Sequence, residues 1–316
     1  MLIKSLRGWE LLEKEVTPKS VFYNRRHFMK MAAVGSLLSS TSVLARNSKN
    51  VLPLYPAPLN HKYQIERELT AKKIANTYNN FYEYGSSKNI WRDAQKLRTR
   101  PWQISIDGLV EKNITIDIDE LILRMSLEER IYRLRCVEGW SMTVAWSGFP
   151  MRSFIEMAKP LSSAKYLRME TFEDKDMAPG QRQFWYPWPY VEGLTIQEAT
   201  NELAFLVTGA YGEELPKQHG APLRVALPWK YGFKSGKSLV RFTFTEEQPI
   251  NFWQALQGNE YGFWANVHPG VPHPRWSQAT ERVLGTGERI PTRIFNGYGE
   301  FVSDLYRGME SEKIWF

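Results

Sequence analysis

The sequence predicts one mixed, sheet-rich α+β domain behind a short leader, on three observations. Segments in which apolar side chains recur at every second position outnumber segments with helical spacing. Strands and helices do not alternate regularly, as a parallel β-α architecture would require. No repeat or linker divides the chain, and 43% hydrophobic and 14% aromatic content in 316 residues can fill one sizeable core.

The first 45 residues stand apart from that domain. Asn24-Arg25-Arg26-His27-Phe28-Met29-Lys30 resembles the twin-arginine export motif. The apolar stretch from Met31 to Ala45 covers 15 positions, short of the roughly 20 a membrane-crossing helix needs. It ends in Val43-Leu44-Ala45, after which cleavage is expected. Residues 1–45 are therefore expected to be a twin-arginine signal peptide that engages the export machinery and sends residues 46–316, a single domain with an extended N-terminal arm, to the periplasm. That route carries proteins already folded, often around a cofactor.

From Arg46 to Asn60 the prolines Pro53, Pro56 and Pro58 break any periodic element, which predicts the arm. Residues 62–76 are polar with weak helical spacing, and Tyr78–Gly85 is an aromatic, amide-rich stretch poorly suited to a plain core element. Trp102–Val110 alternates as a half-buried strand should. Asp117 and Asp119 can cap a short helix, Glu120–Met125. Strands are expected at Ile131–Val137, Tyr166–Thr171, Ala204–Thr208, Arg224–Leu227 and Leu239–Thr245. A helix is expected over Met151–Ala158, begun by Pro150 and stopped before Pro160.

The formal charge of +7 is concentrated in the leader: residues 1–45 hold seven Lys/Arg and three Asp/Glu, which leaves +3 for the rest. The remainder has no basic run of the kind that neutralises a phosphate backbone, which sets nucleic acid aside. One cysteine, Cys136, cannot form an intramolecular disulfide. It is inert, reactive or a ligand. It ends a predicted strand behind Arg133 and Arg135, and nearby positive charge favours a thiolate, the form that binds soft metals or attacks electrophiles. A buried small hydrophobe is the commoner use of such a residue.

Two weaker motifs are set aside. Gly232-Phe-Lys-Ser-Gly-Lys-Ser238 is one residue short of a nucleotide P-loop and runs into a strand where that motif needs a helix. His268 and His273 lack a nearby Cys or third His to complete a zinc site.

Around Cys136 the order Arg133-Leu134-Arg135-Cys136-Val137-Glu138-Gly139-Trp140, followed by Trp146-Ser-Gly-Phe-Pro150, resembles the molybdenum-binding strand of the sulfite-oxidase fold. Longer blocks resemble the bacterial periplasmic protein-methionine-sulfoxide reductases: Tyr78–Glu83, Glu128–Tyr132, Arg135–Met142, Tyr190–Leu194, Gly220–Arg224, Pro228–Lys234, Pro274–Arg282 and Tyr306–Gly308. The resemblance implies a sulfite-oxidase-type molybdopterin-binding fold and a catalytic subunit that reduces methionine sulfoxide in oxidised periplasmic proteins. It also implies a single molybdenum-molybdopterin centre on the Cys136 thiolate. By the same resemblance Asn79, Tyr82, Glu83, Thr171, His219, Arg224, Ser235, Gly236 and Lys237 hold the pterin. Independently, an anionic phosphate on a polar ring system needs convergent cations and donors, and Arg224, Lys230, Lys234 and Lys237 offer charge beside Gly232 and Gly236.

The chain has no C-x-x-C-H haem site and no complete G-x-G-x-x-G fingerprint. The family resemblance implies an external donor, a haem-containing membrane subunit fed by the quinone pool. A thiol-based sulfoxide reductase usually needs a resolving Cys that is missing here. A sulfite-oxidase-like enzyme and a cofactor-free binding module are the remaining alternatives. No appended dimerisation segment is evident, and a monomer is expected.

Overall fold

Alternating apolar side chains build the first of two sheets. The computed structural model describes residues 54–315 except 64, 66 and 310, and the expected signal peptide lies outside the described residues. Strand β1 (Gln103–Gly108) buries Ile104 and Ile106, pairs antiparallel with β2 (Ile114–Asp117) and runs parallel to β10 (Leu239–Thr245). With β5 (Tyr166–Thr171) and β6 (Val191–Thr195) they form a five-stranded sheet in the order β2-β1-β10-β5-β6.

The second sheet is centred on β4 (Trp140–Pro150), every residue of which is buried except Pro150. Both faces of β4 are covered, so its sequence shows no alternation and is not legible as a strand from periodicity. It pairs with β3 (Glu128–Cys136), with β7 (Phe205–Ala210) and, in parallel, with β11 (Thr280–Val283). The β3–β4 hairpin sets Cys136 opposite Trp140, and its turn closes on Gly139, whose φ of +78° suits glycine. Cys136 is thereby fixed at the end of a strand pair in register over its whole length. Residues 54–60 run along this sheet: Leu59 bridges Glu129, and the Tyr55 hydroxyl donates to the Thr208 carbonyl at 2.9 Å.

The first α-helix among the described residues, α1 (Lys72–Thr77), is shorter than the weak periodicity over 62–76 suggests. Helix α2 covers Ile118–Arg124, and the Asp117 side chain caps it by accepting the Asp119 N–H at 2.8 Å. Asp119 is therefore inside the first turn, where it pairs with Arg100, and the helix begins two residues before the expected start. Helix α3 (Met151–Ala158) buries Met151, Phe154, Ile155 and Ala158 against the sheets and ends where Lys159 turns left-handed. Among the described residues no helix is long and apolar enough to cross a membrane.

Among the described residues three buried ion-pair groups join strands and loops across the interior. Glu281 of β11 accepts Arg133 at 2.9 Å and Arg135 at 3.0 Å, with Arg67 at 3.8 Å. Lys230 pairs with Glu198 at 2.5 Å, and Lys234 with Glu192 at 2.7 Å.

Candidate cofactor site

The end of the β3–β4 hairpin, the segment Tyr78–Glu83 and the segment His219–Lys237 meet around a cavity of about 750 Å³. Nine of the ten predicted site residues line it; Thr171 does not. Thr171 ends β5 behind the wall, with its hydroxyl beside the Glu83 carboxyl. The segment from Tyr78 to Glu83 is anchored from outside the cavity. Gly180 packs so closely that an added Cβ would stand 2.3 Å from the Tyr82 carbonyl oxygen, and its N–H donates to the Glu83 carbonyl at 2.9 Å.

Cys136 is buried, and the Asn80 side-chain amide donates to its Sγ at 3.7 Å. Asn80 also lines the cavity, and in the sequence nothing but its place in an amide-rich stretch marks it. Burial, reinforced by the Glu138 carboxylate, pushes the Cys136 thiol up to about 12. The expectation that nearby positive charge favours a thiolate holds in direction for Arg135, which pulls the thiol down, but burial and Glu138 outweigh it. Residues 133 and 135 share the face opposite 136, and both guanidiniums are committed to Glu281. At neutral pH the free thiol therefore keeps its proton, and a cation arriving at Sγ favours its release.

His219 is buried, and its Nε2 lies 3.2 Å from the Ala75 carbonyl. A carbonyl only accepts, so the proton sits on Nε2, and Nδ1 is an acceptor without a partner among the described residues. Burial, with Arg224 nearby, pulls the ring down to about 3. Asn79 and Asn80 likewise leave their buried Oδ1 atoms without partners. Arg224 is buried, donates to the His219 carbonyl at 2.9 Å and lies over the Trp146 ring at 4.8 Å. Neither Arg224 nor Lys237 makes an ion pair among the described residues. Burial lowers both, and in Lys237 the neighbouring Arg224 adds to it. Burial raises Glu83 in turn.

Lys230 and Lys234 are corrected. Each is consumed by a buried carboxylate, Glu198 or Glu192, and neither lines the cavity. Ser235 and Gly236 do line it, and the Gly236 carbonyl accepts the Val225 N–H at 3.0 Å, which ties this turn to β9 (Arg224–Ala226).

Among the described residues the cavity thus offers one thiol, three orphaned acceptors and two basic side chains that make no ion pair, Lys237 having the Glu83 carboxyl as an electrostatic neighbour. That set suits a group with ring N–H donors and an anionic tail. The chain matches the oxidoreductase molybdopterin binding domain over residues 92–253. It is 44% identical to the protein-methionine-sulfoxide reductase catalytic subunit MsrP of Burkholderia mallei, over 99% of each chain. The chain belongs to the protein-methionine-sulfoxide reductase catalytic-subunit family. Members of this family are oxidoreductases with a molybdopterin-binding domain, in keeping with the two mixed sheets and short helices described above. A looser likeness, to the sulfane dehydrogenase SoxCD of Paracoccus pantotrophus, has 17% identity and a TM-score of 0.43. It covers 58% of this chain and 47% of that one, and adds nothing to the assignment.

The orphaned histidine has a measurable consequence. The folded chain holds His219 neutral down to about pH 3, whereas an unfolded chain takes up its proton near 6.5. The unfolded state therefore binds more protons as pH falls through that window, and stability is lost from 6.5 toward 3. The loss attributable to this ring is of order 4 kcal/mol. Denaturant unfolding of the cofactor-free protein across that range, against His219→Gln, checks it: the variant's pH profile is expected to be flatter.

Proposed function

We propose that this protein is the periplasmic catalytic subunit that reduces methionine sulfoxide in oxidised proteins to methionine, using a molybdenum-molybdopterin centre held on Cys136. The observation that carries the reading is the lone buried thiol in one cavity with orphaned acceptors and the basic side chains of Arg224 and Lys237, which make no ion pair among the described residues, in a chain of this family. Among the described residues no group of three or more His, Cys, Asp or Glu could hold a metal ion by itself. A metal on Cys136 must then bring its remaining ligands with it, as the dithiolene of a pterin cofactor does. When bound, that group supplies the two-electron reduction of a sulfoxide to a thioether and water.

The chain's own residues bind and orient. Cys136, once deprotonated, would be the thiolate ligand, with the Asn80 amide donating to its Sγ. Arg224 and Lys237 would hold the cofactor's phosphate, and His219 Nδ1 and the Asn79 Oδ1 would accept from its ring system. Glu83, with Thr171 beside it, and Tyr82 shape the wall, and Ser235 and Gly236 allow close backbone approach. Electrons arrive from a haem-containing membrane subunit fed by quinol, and the leader 1–45 sends the folded protein through the twin-arginine machinery. The mature chain, 46–316, works as a monomer.

The test is to purify wild type and Cys136→Ser from cells that make molybdopterin, measure molybdenum, and assay reduction of an oxidised protein with a viologen donor. Wild type is expected to hold about one metal per chain and to turn over, with both lost in the variant. Metal together with sulfite oxidation and no sulfoxide reduction would make the protein a sulfite-oxidising relative. Active wild type without molybdenum would make Cys136 a nucleophile.

A further inference from the structure

An aromatic lip flanks the cavity and is used by none of the cofactor contacts. Residues 183–189 read Gln-Phe-Trp-Tyr-Pro-Trp-Pro. Phe184 is 91% exposed and Trp185 56%, although each is a side chain that folding ordinarily buries. Their rings begin a continuous path into the site: Phe184 to Trp185 at 5.2 Å, Trp185 to Tyr186 at 6.1 Å, and Tyr186 to Tyr82 at 6.0 Å. Trp185, Tyr186 and Tyr82 line the same cavity as Cys136.

The lip is preformed. Tyr186 stacks on Phe252 at 5.7 Å, its N–H donates to the Gln183 carbonyl at 3.3 Å, and the Trp188 indole donates to that same carbonyl at 3.2 Å. Rigid aromatic side chains on a fixed turn lose little freedom when a partner covers them, which is why such residues anchor interfaces. Adjacent exposed apolar rings at a cavity mouth mark a surface that something covers.

The chemistry of the substrate says what covers it. A methionine sulfoxide in a protein has its sulfur only a short side chain away from its own backbone. If that sulfur is to reach the cavity, the polypeptide on both sides must cross the mouth. We propose that Phe184 and Trp185 are the docking lip for the polypeptide flanking an oxidised methionine, selecting extended segments with an apolar or aromatic neighbour. The proposal rests on the sulfoxide-reductase reading above. The lip gives protein-borne sulfoxide contacts that the free amino acid cannot make, and so separates the two substrates by KM.

Holoenzymes of wild type, Phe184→Ser and Trp185→Ser test it, each with a viologen donor, on oxidised unfolded casein and on free methionine sulfoxide. Binding of a dye-labelled peptide with methionine sulfoxide beside leucine is followed separately by fluorescence anisotropy. Both side chains are exposed, so melting temperature and molybdenum content are expected to hold. Each variant is expected to raise the casein KM and the peptide Kd about fivefold to tenfold with kcat kept. Phe184→Ser is expected to leave the KM for free methionine sulfoxide unchanged. Unaltered casein KM and peptide Kd in an enzyme that reduces casein would overturn the lip and leave the sulfoxide reading standing. An equal rise for casein and the free amino acid would also overturn it, as would a defect seen only with the membrane donor, which would make the lip a donor-docking surface. Lip-dependent peptide binding by a wild type that reduces no sulfoxide would support the lip and overturn the sulfoxide reading.

Discussion

Replacing Glu281 by Gln is expected to destabilise the protein by about 3–5 kcal/mol, the cost of leaving buried cations without their counter-charge. Glu281 is wholly buried and is the common partner of Arg133, Arg135 and Arg67. Burial acts to raise its carboxyl, but the guanidiniums outweigh burial and hold it below the usual range. Glutamine keeps the shape and loses the charge, so any loss reflects electrostatics and not a cavity. The network also reaches the site. Arg135 donates to the Cys136 carbonyl and to Gln278 Oε1, while Gln278 Nε2 and the Trp276 indole both donate to the Val137 carbonyl, at 2.8 and 2.7 Å. The backbone around the thiol is therefore held by the same groups that Glu281 neutralises. Thermal unfolding of the cofactor-free protein should show a fall of roughly 6–20 °C, at about 2–4 °C per kcal/mol for a domain near this size. A fall within a degree or two would mean that water or relaxation already neutralises the arginines. Adding Arg67→Met, Arg133→Met and Arg135→Met to Glu281→Leu should recover most of the loss, because replacing a whole buried ionic group by packed apolar side chains is often close to neutral.

Much of the fold was legible where one physical signal dominated. Strands β5 and β10 fall on the expected residues because one face of each is buried and the other is not. The helix Met151–Ala158 was legible from proline at its start and the apolar spacing that follows. Strand β4 was not, because a strand covered on both faces carries no period-two signal. The short strands β6, β11 and β12 (Arg289–Pro291) are too brief to establish a period.

The candidate site divides along the same line. Family blocks brought the cavity residues together without any long-range information, yet local charge counting misjudged what those residues do. Arg133 and Arg135 stand next to Cys136 in sequence but serve the opposite face of their strand, and Lys230 and Lys234 are spent on distant carboxylates. Which basic residue is free to meet an anion depends on which acid the fold delivers to it, and nothing in local spacing carries that. The lip at Phe184 and Trp185 was equally silent, since an aromatic run reads as core until its exposure is known.

Arg224→Met is the substitution that should separate fold from cofactor most clearly. In Glu281→Gln the charge removed is one the fold depends on; in Arg224→Met it is one that the cofactor-free fold must bear without an acidic partner. Arg224 is 4% exposed, and burial brings it down to about 10. Among the described residues its donors reach the His219 and Val225 carbonyls and its guanidinium lies over the Trp146 face. Methionine restores much of the volume, removes the desolvated charge and leaves those carbonyls short of a donor, terms of opposite sign. Stability of the cofactor-free protein is accordingly expected to change by less than about 1 kcal/mol. Retention of the cofactor should fall far more, because truncating one partner of a buried, hydrogen-bonded charge pair costs about 2–5 kcal/mol, roughly 30-fold or more in affinity, chiefly through faster dissociation. Molybdenum remaining after dialysis, measured beside the melting temperature of the cofactor-free form, gives both quantities from one preparation. Full retention would place the anionic tail elsewhere, with Lys237 as the cation that meets it. A large loss of stability with no change in retention would make Arg224 a structural cation, held by its carbonyls and the Trp146 ring.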